Sequence, residues 1–178
     1  MPVILETERL ALRHWTPADA EALFAFASVQ EVMRYIGDGF AWADIERARS
    51  WIERVRVSYS MYGYGPWVVF ERAGGEIIGS CGFSFLLALT EVDFGYVFAR
   101  ESWGRGFATE AAGAALRYGF KRFGFAEVTA NTVRENYASR RVLEKIGFEY
   151  RGPRRYDGEK DDSAFYIARN PFAAEHAS

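Results

Sequence analysis

The sequence has one cysteine and two histidines, and this scarcity excludes several kinds of site. With Cys81 alone, no disulfide can form within the chain, which suits a reducing compartment. Cys81 lies in a strand-like apolar stretch, so we interpret it as a small buried hydrophobic residue rather than a nucleophile. His14 and His176 have no partners at a metal-binding spacing, so no metal is predicted.

Long apolar runs and an excess of positive charge are also missing. No stretch approaches the roughly eighteen consecutive apolar residues that mark a transmembrane helix. The N-terminus lacks the basic and apolar regions of a signal peptide. The net charge of -2 gives no general attraction for nucleic acid or for an anionic membrane, so neither partner is predicted. We expect a soluble cytoplasmic protein, either a monomer or a homodimer.

The chain has no internal repeat and no linker-like segment, so residues 1–178 are predicted to form a single domain. Hydrophobic periodicity and turn residues indicate about seven strands and about four helices. The predicted strands cover residues 9–15, 67–71, 76–85, 91–98, 127–131, 148–151 and 164–167. The predicted helices begin near residue 17 and cover 44–59, 109–122 and 139–146. This order predicts a mixed α/β fold, with a mostly antiparallel central sheet and one crossover helix.

The most informative segment is 103–109, Trp-Gly-Arg-Gly-Phe-Ala-Thr, between a predicted strand and a long helix. Gly104 and Gly106 let the backbone approach a ligand closely. The first turn of the helix offers unpaired N–H groups at the positive end of its dipole, which suits a phosphate. Arg105 could add a side-chain contact. A dinucleotide fingerprint fits poorly because Thr109 replaces its third glycine, and no Gly-Lys-Ser/Thr completes a Walker loop.

A second segment, residues 136–148, begins a predicted helix that Gly147 ends. Asn136 is suited to cap this helix, and Ser139 could close a local hydrogen-bond network there.

Together the two segments resemble the GNAT superfamily of N-acetyltransferases, most closely its ribosomal-protein alanine/serine N-terminal acetyltransferase branch, the RimJ/RimL type. The resemblance runs from the opening Glu6-Thr7-Glu8-Arg9 to the last strand. It places Trp103 at the first position of the Gln/Arg-x-x-Gly-x-Gly/Ala motif, Gly106 at the invariant glycine and Ala108 at the last position. Trp103 departs from the general motif, although aromatic residues there are usual in this branch. The resemblance implies acetyl-CoA as co-substrate and an amine as acceptor.

The resemblance also implies a splayed CoA-binding cleft. One predicted strand would end apart from its neighbour and pair with the pantetheine arm, which Asn136 would also reach. Ser139 would lie near the thioester. The pyrophosphate-binding backbone would run from Gly104 through Arg105, Gly106, Phe107 and Ala108 to Thr109, and the pantetheine-binding strand end would be Tyr96, Val97 and Phe98.

For the transfer itself, the resemblance suggests Asp93 as a base acting through water, with Glu91 as a second candidate. Both carboxylates could instead face solvent or pair with arginines. A backbone N–H near Val97 or Phe98 would polarise the carbonyl. Leu143 stands where many family members have a tyrosine that acts as the general acid, so Ser139 is the candidate proton donor.

The acceptor is left open between a protein N-terminus and a small amine. Tyr35, Phe40, Trp42 and Trp51 either line the acceptor side of the cleft or pack in the core. Acidic loop residues would suit a cationic acceptor or simply face solvent. They are Asp38, Asp44, Asp157, Glu159, Asp161 and Asp162. Two alternatives to the enzyme are a non-catalytic acyl-CoA-binding sensor and a nucleotide-binding module.

Overall fold

Eight strands form one sheet in the computed structural model, which describes residues 2–155 and 162–173. The order across the sheet is β1-β2-β3-β4-β5-β6-β8-β7. All neighbours are antiparallel except β5 and β6, which are parallel. The strands are β1 (Val3–Glu6), β2 (Leu10–Arg13), β3 (Pro66–Glu71), β4 (Ile77–Leu86), β5 (Glu91–Phe98), β6 (Glu127–Thr132), β7 (Glu149–Arg154) and β8 (Ser163–Arg169). The predicted mixed, mostly antiparallel sheet is therefore confirmed.

Five helices accompany the sheet in the described part of the chain. They are α1 (Ala20–Ala27), α2 (Gln30–Met33), α3 (Ile45–Tyr62), α4 (Phe107–Phe123) and α5 (Tyr137–Lys145). The side chain of Asp44 caps α3 by accepting a hydrogen bond from the Glu46 N–H, and Gly63 ends the helix with a left-handed φ of 77°. Helix α4 is the crossover that makes β5 and β6 parallel.

The structure adds two elements to the predicted set. Strand β1 has four residues and lies at the sheet edge, and α2 is a single turn, also of four residues. Strand β1 is Val-Ile-Leu-Glu and shows no alternation of polar and apolar residues, and the single turn of α2 is too short to show a helical period. Helices α4 and α5 each begin two residues before their predicted starts, at Phe107 and Tyr137. The turn predicted at residues 157–160 lies outside the described residues.

Apolar side chains cover both faces of the sheet. Helices α4 and α5 pack on one face, while α1, α2 and α3 pack on the other. Along β5, Phe94 and Phe98 belong to the core beneath α4, whereas Val97 packs against the core of α1–α3. Because side chains alternate along a strand, Glu91, Asp93 and Gly95 lie on the same face as Val97.

Candidate active site

Strands β5 and β6 meet at only one point of their length. Their register contains a single pair, Asp93 with Thr129. Beyond this pair, residues 96–98 have no strand partner on the β6 side within the described residues. The C-terminal half of β5 therefore borders an open gap, as the predicted splay requires.

The backbone of β5 presents alternate residues to this gap. The Ala99 N–H donates to the Ile78 carbonyl at 2.9 Å, in register with β4. In an antiparallel pair, every second residue of a strand forms its backbone hydrogen bonds with the neighbouring strand. Val97 therefore bonds to β4, while the backbone N–H and C=O groups of Tyr96 and Phe98 point toward the gap. The Thr129 hydroxyl contacts the Val92 carbonyl at 3.3 Å, on this same edge of β5. Of the two N–H groups that the sequence suggested for carbonyl polarisation, only that of Phe98 faces the gap.

The glycine turn lies next to the gap. Gly104 and Gly106 have left-handed φ values of 74° and 80°, and Gly106 is the N-cap of α4. Among the described residues no side chain caps this helix, so the N–H groups of its first turn are available to a ligand. The Trp103 indole N–H donates to the Phe98 carbonyl at 2.9 Å and so ties the turn to the end of β5.

Two arginines pack against Phe107, the first residue of α4. The Phe107 ring is buried, with the Arg9 and Arg105 guanidinium groups 4.5 and 4.4 Å from its centroid. Arg105 also pairs with Glu71 at 2.9 Å. A contact between the Arg105 side chain and phosphate would require this ion pair to open. The N–H groups of Ala108 and Thr109 lie in the first turn of α4, where the motif places them.

Helix α5 brings its first turn to the gap. The Asn136 side-chain carbonyl accepts the Ser139 N–H at 3.2 Å, which confirms the capping interpretation. Its Nδ2 has no hydrogen-bond partner within the described ranges and is free to donate. The Ser139 hydroxyl lies 2.9 Å from the Tyr96 hydroxyl, which also donates to the Ser139 carbonyl at 3.0 Å.

The Tyr96 hydroxyl is a functional candidate that the sequence did not reveal, because Tyr96 was considered only for its backbone. Burial raises the pKa of Tyr96 above its usual range, so the hydroxyl stays protonated and can donate. No local pattern links Tyr96 to Ser139, since 43 residues separate them.

The two carboxylates of β5 have different surroundings. Glu91 forms an ion pair with Arg154 through two hydrogen bonds, at 3.0 and 2.9 Å. Pairing with an arginine was one of the two predictions for this carboxylate. Asp93 instead accepts from the Asn131 amide at 3.2 Å. Burial raises the pKa of Asp93 to about 7, which is a suitable value for a general base.

The remaining aromatic, cysteine and histidine side chains that the sequence singled out differ in their exposure to solvent. Trp42 and Trp51 line a small cavity beside Val97, whereas Phe40 is 68% exposed. Cys81 is buried, as predicted. His14 stacks on Tyr59 at a centroid distance of 4.0 Å. His176 lies outside the described residues, within which no His, Cys, Asp and Glu side chains form a metal-binding group. None of the described helices is both long and apolar enough to cross a membrane.

Comparison with known proteins gives the family. Residues 9–149 match the model of the acetyltransferase (GNAT) domain. The uncharacterised N-acetyltransferase YoaA of Bacillus subtilis is 38% identical over 150 residues, which cover 84% of each chain.

Solved structures agree with this match. A GNAT-family acetyltransferase from Bacillus anthracis superposes with a TM-score of 0.79 and 28% identity, covering 93% of this chain and 98% of its own. The ribosomal L7/L12 acetyltransferase RimL, solved with coenzyme A, has a TM-score of 0.81 over 94% of this chain and 98% of its own. Its identity of 17% shows a shared fold alone. The matching domain model, the related N-acetyltransferase and the splayed sheet all point to one family. This chain therefore belongs to the GNAT family of acetyltransferases.

Proposed function

We propose that this acetyltransferase moves the acetyl group of acetyl-CoA directly to a primary amine. The observation that carries the proposal is the continuity of the gap beside Tyr96 and Phe98 with the glycine turn, through the Trp103–Phe98 hydrogen bond. The backbone N–H groups of the turn would bind the pyrophosphate. The free edge of β5 would offer backbone N–H groups to the amide-containing pantetheine arm. The RimL structure contains bound coenzyme A, which supports a CoA ligand for this fold.

Each step of the transfer has a candidate group in the gap. The Phe98 N–H would polarise the thioester carbonyl, and Asp93 would take a proton from the incoming ammonium through water. The hydroxyl pair of Tyr96 and Ser139 would return a proton to the departing thiolate. Glu91 is less suited to the base role, because its charge is already held by Arg154. Asn136 would donate its free amide N–H to the pantetheine arm.

An acceptor of the RimJ/RimL kind, a protein N-terminus, is one form of this proposal, and a small amine is the other. A relative from Aspergillus fumigatus, 31% identical over 132 residues, is named an FsC-acetyl coenzyme A-N(2)-transacetylase, which supports an amine nitrogen as acceptor. The cytoplasmic location and the choice between monomer and homodimer stay predictions.

A transfer assay with a matched pair of variants tests the proposal. Thiol release from acetyl-CoA is followed with a panel of N-terminal peptides and small amines. Gly106→Glu puts bulk and negative charge at the proposed pyrophosphate position and should abolish CoA binding. Gly124→Glu places the same side chain at the other end of α4, at a comparable left-handed φ of 67°, and should bind CoA normally. Equal CoA affinity in both variants would exclude the glycine turn as the pyrophosphate site. CoA binding without transfer to any amine would favour the sensor.

A further inference from the structure

We propose that the acceptor amine carries an uncharged aliphatic chain, which lies in the apolar cavity beside Val97, and that polyamines and other polycations are poor acceptors. This inference rests on the proposed function, because it names the acceptor class for the same reaction.

The cavity is small and has no charged lining. Its volume is about 60 Å³, and every lining side chain is apolar or aromatic, including Ile36, Trp42, Trp51 and Val97. A cavity of roughly 150 Å³ holds a benzene ring, so this one suits the end of a short aliphatic chain. An ammonium group placed there would lose its hydration without gaining an ionic partner.

One face of β5 leads from the cavity to Asp93. Val97, Gly95 and Asp93 follow one another on the same face, at intervals of about 7 Å. Gly95 is exposed, and a Cβ built on it would meet no atom within 4 Å. The space directly above Gly95, midway between Val97 and Asp93, is therefore open. An amine nitrogen above Gly95 would lie within reach of Asp93 through one water, while its chain would extend toward Val97.

Carboxylates that could attract a second positive charge already have other partners. Asp38 pairs with Arg47 at 2.9 Å, and the Arg47 guanidinium lies 5.4 Å from the Trp42 ring centroid. Asp44 caps α3, and Asp162 pairs with Arg155 at 2.8 Å. With Glu91 held by Arg154, Asp93 is the carboxylate of this β5 face that has no ion pair among the described residues. Asp157, Glu159 and Asp161 lie outside the described ranges.

Pentylamine and 1,5-diaminopentane test the proposal directly, since they differ only in a second ammonium group at the far end. We expect kcat/KM for pentylamine to exceed that for the diamine by at least about tenfold. The diamine has two reactive ends, so the comparison is biased against the proposal. If the enzyme accepts only peptides, the same comparison is made between peptides that begin with leucine and with arginine.

Variants then locate the effect in the cavity. Ile36→Ser removes part of the apolar lining and should lower kcat/KM for pentylamine about tenfold, while leaving ethylamine, which is too short to reach the cavity, nearly unchanged. Val57→Ser makes a similar change at an exposed position of α3 and should leave kcat/KM unchanged for both substrates.

The outcomes separate this inference from the proposed function. Equal or better use of the diamine, or of the arginine peptide, would overturn the aliphatic acceptor and leave amine acetylation intact. An equal loss for pentylamine and ethylamine in Ile36→Ser would also overturn it. Failure with every amine and peptide would overturn the proposed function and this inference with it.

Discussion

Asp93 and Glu91 have the same chemistry and share one face of β5, yet their surroundings give them different properties. Glu91 has a guanidinium partner that stabilises its charge, whereas Asp93 has an amide partner and a partly buried site that favours the neutral form. A pair of carboxylates in such different environments is typical of an acid–base site, where one group must exchange a proton near neutral pH.

The rate should therefore depend on the ionisation of Asp93. In the wild type, kcat/KM should rise as the pH passes through about 7, because only the carboxylate form of the proposed base can accept a proton. Asp93→Asn should lose that rise, so the ratio of wild type to variant should reach about 100-fold above pH 7 and shrink at lower pH. Steady-state pH profiles measure this ratio, with Glu91→Gln as the comparison. A rise near pH 7 that persists in Asp93→Asn would assign the titration to another group.

The same substitution should stabilise the fold at high pH. The pKa of Asp93 is about 7 in the folded protein, against an ordinary value of 3.8. Between these values the folded state binds the extra proton, so stability falls as the pH rises through this window. Asn removes the buried charge, so Asp93→Asn should be more stable at pH 8, by up to about 4 kcal/mol, and should lose this advantage near pH 4.

Urea unfolding at the two pH values measures this difference. Glu91→Gln breaks the ion pair with Arg154 and should give no such gain. At each pH, the stability of Asp93→Asn is compared with that of the wild type. If this difference is less favourable to the variant at pH 8 than at pH 4, the raised pKa is contradicted.

At the scale of elements, α4 connects the glycine turn to the sheet through close contacts of its small residues. Gly119 lies directly against the buried ring of Phe83, and an added Cβ would lie 2.3 Å from the Phe83 Cζ. Phe83 is itself packed among other aromatic rings, including Trp67 and Phe125, so it has little room to move.

Gly119→Ala should destabilise the protein by about 1–3 kcal/mol, because overpacking outweighs the better helix propensity of alanine. Gly113→Ala is the control in the same helix, since its Cβ would meet Ile146 at an ordinary 3.5 Å. It should stabilise the protein by up to about 1 kcal/mol. Denaturant unfolding measures both changes, and a stabilising Gly119→Ala would show that Phe83 can shift at little cost.

At the scale of the whole molecule, the ligand should join elements that are distant in the sequence, namely β5, α4 and the start of α5. A ligand that binds only the folded state stabilises it by about 2.7 kcal/mol at one hundred times its Kd. For a chain of this size, saturating acetyl-CoA should raise the Tm by roughly 5–10 °C.

ATP and NAD should give little or no shift, because they lack the pantetheine arm that would pair with β5. Thermal unfolding with each ligand measures this, and Gly106→Glu should remove the acetyl-CoA shift. An equal shift with ATP or NAD would instead support the nucleotide-binding module.

Local signals in the sequence were enough to determine the order of the longer elements, the glycine turn before α4 and the capping of α5 by Asn136. Periodicity, glycine and capping residues act over a few positions, so they can be read without knowing the fold. The same signals missed β1, whose apolar residues do not alternate with polar ones, and α2, which is a single turn.

Only the tertiary structure decided which distant side chains meet. The arrangement of the sheet brings Asp93 to Asn131 and Glu91 to Arg154, across 38 and 63 residues. The packing of α5 brings Ser139 to the Tyr96 hydroxyl, across 43 residues. Register also decided that Phe98, not Val97, offers its N–H to the gap, because the ladder with β4 occupies every second residue of β5. Pairing between strands depends on the whole sheet, so no local pattern in β5 could specify these contacts.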